Sequence, residues 1–262
     1  MTKTTQFTAA FLVTLGLGGP AFAAPAIGLT GDRTLTLFDT DRAVLDGMPD
    51  VQIEGRLPGI DWRPATGQLT GVTDAQQIVE IDPVTGAVTM ISTMDTMLPL
   101  MDEMPVIVDF NPMADRLRFM TGATNHRVNV DTGEVTVDGS LAYVAEDANA
   151  GADPMIAAAA CINSYGTPEG TAMYNIDAGP SAFVQQTAPN DGTLATIGDL
   201  GVMLSGPVGL DVATTADGEN TVWIAALGGI HTIDLASGAV TESRMIEGLE
   251  AGLRDLTVMP AM

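Results

Sequence analysis

The sequence has few of the residues from which catalytic and metal centres are usually built. Its 262 residues include one cysteine, two histidines and a single lysine, Lys3. The lone cysteine, Cys161, excludes an internal disulfide, and two histidines are too few for a histidine-rich zinc site. Nucleophile-elbow, zinc-protease and phosphate-loop motifs are also missing from the sequence. These absences exclude the most common hydrolase and phosphotransferase machineries.

The first 23 residues have the composition of an export signal. Lys3 precedes an apolar run at residues 9–18, and Ala21 and Ala23 place small side chains where a signal peptidase reads them. The run is too short to span a membrane, and no other stretch approaches that length. We therefore predict a signal peptide at residues 1–23 and one exported domain at residues 24–262. The domain is expected in the periplasm or outside the cell.

The exported part of the chain is strongly acidic. Without Lys3 it has nine arginines against 33 acidic residues, a net charge of −24. Such a surface repels nucleic acid and anionic membranes, so neither is expected as a partner. The missing lysine also excludes Schiff-base chemistry on this domain. The excess of acids favours either solubility in a variable medium or binding of divalent cations.

A strand, turn and strand unit recurs along the chain. Within residues 60–92, the apolar strand 78–81 is followed by Asp-Pro-Val-Thr-Gly at 82–86, residues that favour a tight hairpin turn. Similar corners recur at intervals of 43, 47, 48 and 57 residues. Their first residues are Asp39, Asp82, Asn129, Asp177 and Asp234. This spacing is typical of the blades of a β-propeller.

A second motif places an acidic residue in an apolar strand and alternates with the corners. Its copies centre on Asp61, Asp109, Asp211 and, more loosely, Asp255, whereas the third copy, near residues 156–161, has lost its acid. The chain begins with a corner that lacks this strand and ends with the strand alone, so the two ends are expected to complete one blade. We predict an all-β fold, a single propeller of five four-stranded blades, with six blades as the alternative.

Two groups of oxygen-bearing side chains are candidate metal sites. On the predicted inner strands, carboxylates that converge on a central channel would hold a metal for hydrolysis, or each would bond its own blade. This group comprises Asp61, Asp109 and Asp211. A glycine- and alanine-rich loop offers ligands of the kind that Ca²⁺ prefers, or forms an ordinary self-bonded turn. This group comprises Asp147, Asn149 and Asp153. Ca²⁺ is the one cofactor predicted, and no catalytic residue is assigned.

Two further clusters allow more than one interpretation. Residues 94–104 contain four methionines at helical spacing, which suits a soft Cu(I) site or, beside two prolines, an apolar loop or short helix that packs on the blades. Residues 116–127 contain three arginines and His126. These cations would form either an anion-binding patch or ion pairs between neighbouring blades.

Five segments, in order along the chain, resemble one family of exported bacterial proteins. They are Arg-Pro-Ala-Thr-Gly-Gln-Leu at 63–69 and the segments at 109–118, 125–133, 147–151 and 189–194. Together they resemble the domain of unknown function 4394 family over nearly the whole exported part. The resemblance implies a propeller-like repeat fold. It implies no activity, substrate or catalytic residue.

Three functions are compatible with these observations. The preferred one is a non-enzymatic propeller that binds a small ligand or a partner protein, because the motifs of catalysis are missing. The first alternative is a hydrolase or lactonase-like enzyme with a carboxylate-bound metal. The second is a structural component of the cell envelope or matrix. The domain is expected to be a monomer without a transmembrane segment.

Overall fold

Short apolar segments separated by turn residues form strands throughout the described chain. The computed structural model describes residues 24–101 and 104–259, so the predicted signal peptide lies outside the described residues. The strands are β1 (Pro25–Thr30), β2 (Thr34–Asp39), β3 (Leu45–Gly47), β4 (Gly59–Arg63), β5 (Gln68–Val72), β6 (Gln77–Ile81), β7 (Val88–Thr93), β8 (Ile107–Asn111), β9 (Arg116–Thr121), β10 (Thr124–Val128), β11 (Val135–Val137), β12 (Ala142–Tyr143), β13 (Ile156–Cys161), β14 (Met173–Asp177), β15 (Ala182–Ala188), β16 (Thr193–Asp199), β17 (Gly209–Thr214), β18 (Asn220–Ala226), β19 (Gly229–Ile233), β20 (Val240–Met245) and β21 (Asp255–Val258). Within the described residues, no helix is long and apolar enough to cross a membrane.

The strands form five sheets, and each sheet is one blade of a propeller. Blade 1 contains β4 to β7, blade 2 contains β8 to β11, blade 3 contains β13 to β16 and blade 4 contains β17 to β20. The short strand β12 pairs in parallel with β16 at the edge of blade 3. The inner strands β4, β8, β13, β17 and β21 contact one another in a closed ring. This arrangement confirms the predicted five-bladed, all-β propeller.

The closing blade is built from both ends of the described chain. Its sheet has the order β21, β1, β2, β3, and β21 pairs antiparallel with β1 so that Val258 lies opposite Ala26. The guanidinium group of Arg254 donates hydrogen bonds to the carbonyl oxygens of Gly31 (2.7 Å) and Pro58 (2.8 Å). These bonds tie the last strand to the start of blade 1. The predicted closure of the ring is confirmed.

Five apolar clusters fill the spaces between adjacent blades. Strand β18 shows how the sequence produces them, because its side chains alternate between the two faces of blade 4. Val222 and Ile224 pack towards blade 3, while Trp223 and Ala225 pack towards the closing blade. Since both faces of a blade are covered, β18 has a continuous apolar run at residues 222–226 instead of an alternation of apolar and polar residues.

One predicted corner is wrong. Asp177 ends β14 and begins the turn to β15, whereas Asp82 begins a turn between the third and fourth strands of its blade. In blade 3 that later turn is formed by residues 189–192. The error has a local cause: Asp177 accepts a hydrogen bond from the N–H of Gly179 (2.9 Å), just as Asp82 does from Val84 (2.8 Å). This turn chemistry does not reveal which pair of strands the turn connects.

The methionine-rich connection between β7 and β8 is an irregular loop over its described residues. Met94 and Leu98 are buried in the cluster between blades 1 and 2. The side-chain amide of Gln76 donates to the carbonyl of Leu98 (2.6 Å) and accepts from its N–H (2.7 Å). Packing and this pair of hydrogen bonds, instead of helical periodicity, determine the path of the loop.

The turns between third and fourth strands also pack one blade against the preceding one. Gly133, in the turn of blade 2, has φ +77°, and a Cβ atom there would lie 2.0 Å from the carbonyl oxygen of Thr93 in blade 1. Gly151 has a similar φ of +80°, but nothing lies within 4 Å of its virtual Cβ. The two glycines therefore share a left-handed backbone and differ in whether a neighbouring blade touches them.

We predict that Gly133→Ala destabilises the propeller more than Gly151→Ala. Both substitutions carry the cost of a left-handed alanine, about 1–2 kcal/mol. Only Gly133→Ala adds a clash between blades, which lowers the free energy of unfolding by about 1–3 kcal/mol more. Urea unfolding of the three proteins measures the difference. Equal losses in the two variants would show that this contact does not contribute to stability.

Candidate functional site

Side-chain oxygens on the inner strands bind the backbone of the next blade. Asp61 on β4 accepts a hydrogen bond from the N–H of Phe110 on β8 (2.7 Å). Asp109 on β8 accepts one from the N–H of Cys161 on β13 (3.1 Å). The acidic residues recognised in the sequence therefore act between blades, at the ring axis.

The last inner strand uses a hydroxyl group in place of an acid. Asp211 on β17 accepts a hydrogen bond from the N–H of Val258 on β21. Thr257, at the position on β21 equivalent to Asp61, accepts one from the N–H of Trp62 (3.0 Å). Thr257 was not predicted from the sequence, because the inner-strand motif was defined by an acidic residue.

The predicted equivalence of Asp255 to the other inner acids is wrong. Asp255 lies two residues before Thr257, and it accepts hydrogen bonds from the N–H groups of Ile60 (2.8 Å) and Leu256 (3.0 Å). It thus belongs to a neighbouring layer of the same channel. In blade 3 the position equivalent to Asp61 is occupied by Ala160, which has no side-chain oxygen.

Asp61 and Asp211 converge on one hydroxyl group. The Oγ1 atom of Thr257 lies 2.9 Å from Asp61 Oδ1 and 3.1 Å from Asp211 Oδ2. A hydroxyl donates only one proton, so a proton on one carboxyl group is needed to complete the second bond. Burial raises the pKa of Asp211 to about 6. Burial, followed by the charges of Asp211 and Asp109, raises the pKa of Asp61 well above its ordinary value.

The carboxyl groups of Asp109 and Asp255 are also buried, and neither has an ion-pair partner among the described residues. Asp109 is only 4% exposed, and its Oδ2 atom has no hydrogen-bond partner among the described residues. Burial and, among smaller effects, the charges of Asp211 and Asp255 raise the pKa of Asp109 to about 8. Burial likewise raises the pKa of Asp255 to about 8. We refer to Asp61, Asp109, Asp211 and Asp255 as the central acid cluster; near neutral pH it retains protons.

The channel beside this cluster is narrow. A cavity lined in part by Asp61, Asp211, Trp62 and Phe110 offers about 10 Å³ to the centre of a water-sized sphere. That is about the space that one water molecule needs. This cavity therefore leaves Asp61 and Asp211 accessible to a water molecule or a small ion, and not to an organic substrate.

Neither predicted metal site is a preassembled set of ligands. Across residues 24–101 and 104–259, no three His, Cys, Asp or Glu side chains are grouped so that they would hold a metal ion. In the loop of blade 3, Asp147 accepts hydrogen bonds from the N–H groups of Asn149 (2.8 Å) and Thr196 (2.6 Å), while Asp153 is exposed. Ca²⁺ binding in this loop and metal binding by the central acid cluster stay predictions.

Two of the three arginines predicted to form this cluster form ion pairs, and both pairs lie within blade 2. Arg118 and Arg127 both bond the carboxylate of Asp138, Arg127 at 3.1 Å. Arg63 of blade 1, outside the predicted cluster, forms two parallel hydrogen bonds, of 2.8 and 2.6 Å, with the carboxylate of Asp115 in blade 2. This geometry favours ion pairs over an anion-binding patch, although of these pairs only that of Arg63 joins two blades.

A groove of about 530 Å³ lies between the β3–β4 connection and the outer part of blade 1. We call it the acidic groove, because its lining includes two carboxylates and no arginine. The lining residues are Ile53, Glu54, Gly55, Thr73, Asp74, Ala75, Gln77, Val79, Val88 and Met90. No sequence motif indicated this groove, because three separate segments of the chain form its walls.

The closed ring of five blades, linked at its axis by buried carboxyl groups, defines this protein as a five-bladed β-propeller. A family model described as "Domain of unknown function (DUF4394)" matches residues 34–257. The chain belongs to this family, which confirms the resemblance seen in the sequence. No curated protein matches the chain.

Two solved structures that match the chain are described as proteins of unknown function. One, from Bacteroides thetaiotaomicron, has a TM-score of 0.52 and 14% identity, and the match covers 93% of this chain and 68% of the other. The second, from Bacteroides caccae, has a TM-score of 0.44 and 10% identity, with coverage of 87% and 75%. At this identity the likeness concerns the fold alone.

We predict that the unfolding free energy decreases as the pH rises from about 4 to 8. An aspartate whose pKa is higher in the folded state keeps its proton there, whereas the unfolded chain has already lost it. Each such group therefore contributes a loss on the order of 1 kcal/mol per pH unit between its two pKa values. For Asp109 and Asp255 this window extends from the ordinary value of 3.8 to about 8.

Urea unfolding at a series of pH values tests this prediction. Asp109→Asn keeps the shape and removes the titration, so its stability should decrease less steeply with pH than that of the wild type. Asp153→Asn, which removes an exposed acid, should keep the wild-type slope. An unchanged slope in Asp109→Asn would contradict the raised pKa.

Proposed function

We propose that this protein is an exported, non-enzymatic binding module that holds a cationic, partly apolar ligand in the acidic groove. The observation that carries the proposal is the groove itself. Its volume of about 530 Å³ lies within the range of small-molecule sites, roughly 300–1,000 Å³. The central channel, by comparison, has space for about one water molecule.

The walls of the groove support a ligand with a positive charge. Asp74 is held in place because its Oδ2 atom accepts a hydrogen bond from the N–H of Arg56 (3.0 Å). Glu54 is exposed and forms no hydrogen bond or ion pair through its side chain within the described residues. Arg33 donates to the carbonyl oxygen of Ile53, and within the described residues neither Arg33 nor Arg56 forms an ion pair with Glu54 or Asp74. An incoming cation therefore meets two carboxylates that have no ion-pair partner among the described residues.

The same walls support an apolar part of the ligand. Val79 is buried at the base of the groove, Val88 is half-buried, and Met90 is exposed. An alkyl chain laid along these side chains would remove apolar surface from water, at about 25 cal/mol per Å². An ammonium group at its end would lie near Glu54 and Asp74. The combination selects against anions and against fully polar cations.

The other two functions inferred from the sequence receive less support. A hydrolase built on the central acid cluster needs a path for its substrate, and the channel beside Asp61 and Asp211 has space for about one water molecule. No feature of the described residues favours a purely structural role in the envelope.

We predict that n-hexylammonium binds in the groove and that hexanoate does not. Titration of each compound into protein with ¹³C-labelled methionine methyl groups measures this, with the Met90 signal identified from a Met90→Leu variant. Hexylammonium should shift the Met90 signal, and Glu54→Gln should weaken its binding about threefold or more, because one of two carboxylates is removed.

Glu134→Gln is the matched control, since Glu134 is an exposed acid on blade 2 outside the groove. It should bind hexylammonium as the wild type does. Equal responses of the Met90 signal to hexylammonium and hexanoate would contradict the proposal, as would unchanged affinity in Glu54→Gln.

A further inference from the structure

One end of the propeller exposes a methionine at every connection between blades. Each blade is antiparallel, so the chain always passes from an outer strand to the next inner strand at the same end of the ring. These five connections, or the residue directly before them, contain Met48, Met97, Met101, Met155, Met203 and Met245. Their exposed fractions range from 48% to 86%. We call this set the methionine ring.

The distribution of these side chains differs between the two ends. Single exposed apolar residues are normal on a protein surface and need no explanation. Here every connection between blades contributes an exposed methionine at the same end. Leu227, in a turn at that end, is exposed as well. At the opposite end, where inner strands lead into second strands, the exposed large apolar side chains are Val84, Met113 and Tyr165, from blades 1, 2 and 3. A repeated apolar position at one end indicates a surface that is shared by all blades.

Methionine suits such a surface for a physical reason. Its side chain is unbranched, flexible and polarizable, so it adapts to differently shaped apolar partners. Surfaces that bind several related sequences use flexible, methionine-rich contacts of this kind. A ring of methionines thus favours an adaptable partner segment over one rigid small molecule.

The charge of the same end defines the partner further. Exposed acids accompany the methionines in these connections, namely Asp50, Glu54, Asp95, Glu146, Asp153, Glu247 and Glu250. The two arginines there are Arg56 and Arg254, and the guanidinium group of Arg254 is bound to backbone carbonyl oxygens, including those of Gly31 and Pro58. The end is therefore apolar and negatively charged, and it attracts positive charge.

We propose that the methionine ring docks a partner protein through a basic amphipathic segment. The apolar side of that segment would lie on the methionines, and its lysines or arginines would face the surrounding acids. Amphipathic helices bind apolar surfaces in this manner. The proposal adds a protein-binding surface to the ligand groove and does not depend on the groove.

A labelled 14-residue peptide of leucine and lysine at helical spacing tests the proposal by fluorescence anisotropy. Two matched peptides, one of leucine and glutamate and one of serine and lysine, separate the apolar contribution from the charge. We expect the leucine and lysine peptide to bind about tenfold more tightly than either matched peptide, which is a difference in binding free energy of about 1.4 kcal/mol. Equal binding of the serine and lysine peptide would overturn the proposal, because charge alone would then explain it.

Variants locate the peptide on the surface. Met155→Ser combined with Met203→Ser should lower its affinity about fivefold or more, whereas Met113→Ser, at the opposite end, should leave it unchanged. These methionines are exposed, and thermal unfolding checks that each variant folds. If the double variant does not fold, Asp153→Asn with Glu250→Gln replaces it, with the same expected loss.

Two results with these variants would overturn the proposal, namely full affinity in the double variant or an equal loss in Met113→Ser. Full affinity in the double variant together with a loss in Glu54→Gln would assign the peptide to the acidic groove. In that case the proposed ligand site would stand and the methionine ring would not.

Discussion

The bonds between side-chain oxygens and backbone amides at the axis hold the blades of this propeller in register. An inner strand lies away from water, and a buried N–H group without a partner costs about 1–3 kcal/mol. Asp61, Asp109, Asp211 and Thr257 each supply an oxygen to the next strand around the ring. Only the step from blade 3 to blade 4 lacks this link, since Ala160 has no side-chain oxygen. There the N–H of Val212 bonds the carboxylate of its own neighbour, Asp211 (2.6 Å).

The same bonds explain the unusual acidity of the channel. Four carboxyl groups are buried without an arginine among their hydrogen-bond partners, so their charged forms are disfavoured and their pKa values rise. The protein thus uses partly protonated acids as neutral or weakly charged acceptors. Because these groups are enclosed, both proposed binding sites lie on the outside of the ring. There, uncompensated carboxylates lie beside apolar side chains, in the acidic groove and around the methionine ring.

The architecture was largely predictable from the sequence, and the reason is the local nature of hairpins. A turn such as residues 82–86 is specified by its own residues, and its recurrence at blade spacing reveals the repeat. The same locality caused the two errors. Asp177 has the turn chemistry of a corner but joins different strands, and Asp255 resembles the inner-strand acids but lies two residues out of register. Register depends on pairing, here between β21 and β1, which no local pattern records.

By itself, the sequence determined the propeller fold with five blades preferred over six, the closure of the ring, the negative net charge and the missing catalytic motifs, because these follow from composition and from contacts within short segments. The tertiary structure alone decided which oxygens meet. Thr257 contacts Asp61 across 196 positions of the chain, and the acidic groove joins segments around Glu54, Asp74 and Met90. Burial, and with it the raised pKa values, exists only once the blades are packed. The candidate sites depend on proximity between distant residues, and proximity is a property of the closed ring.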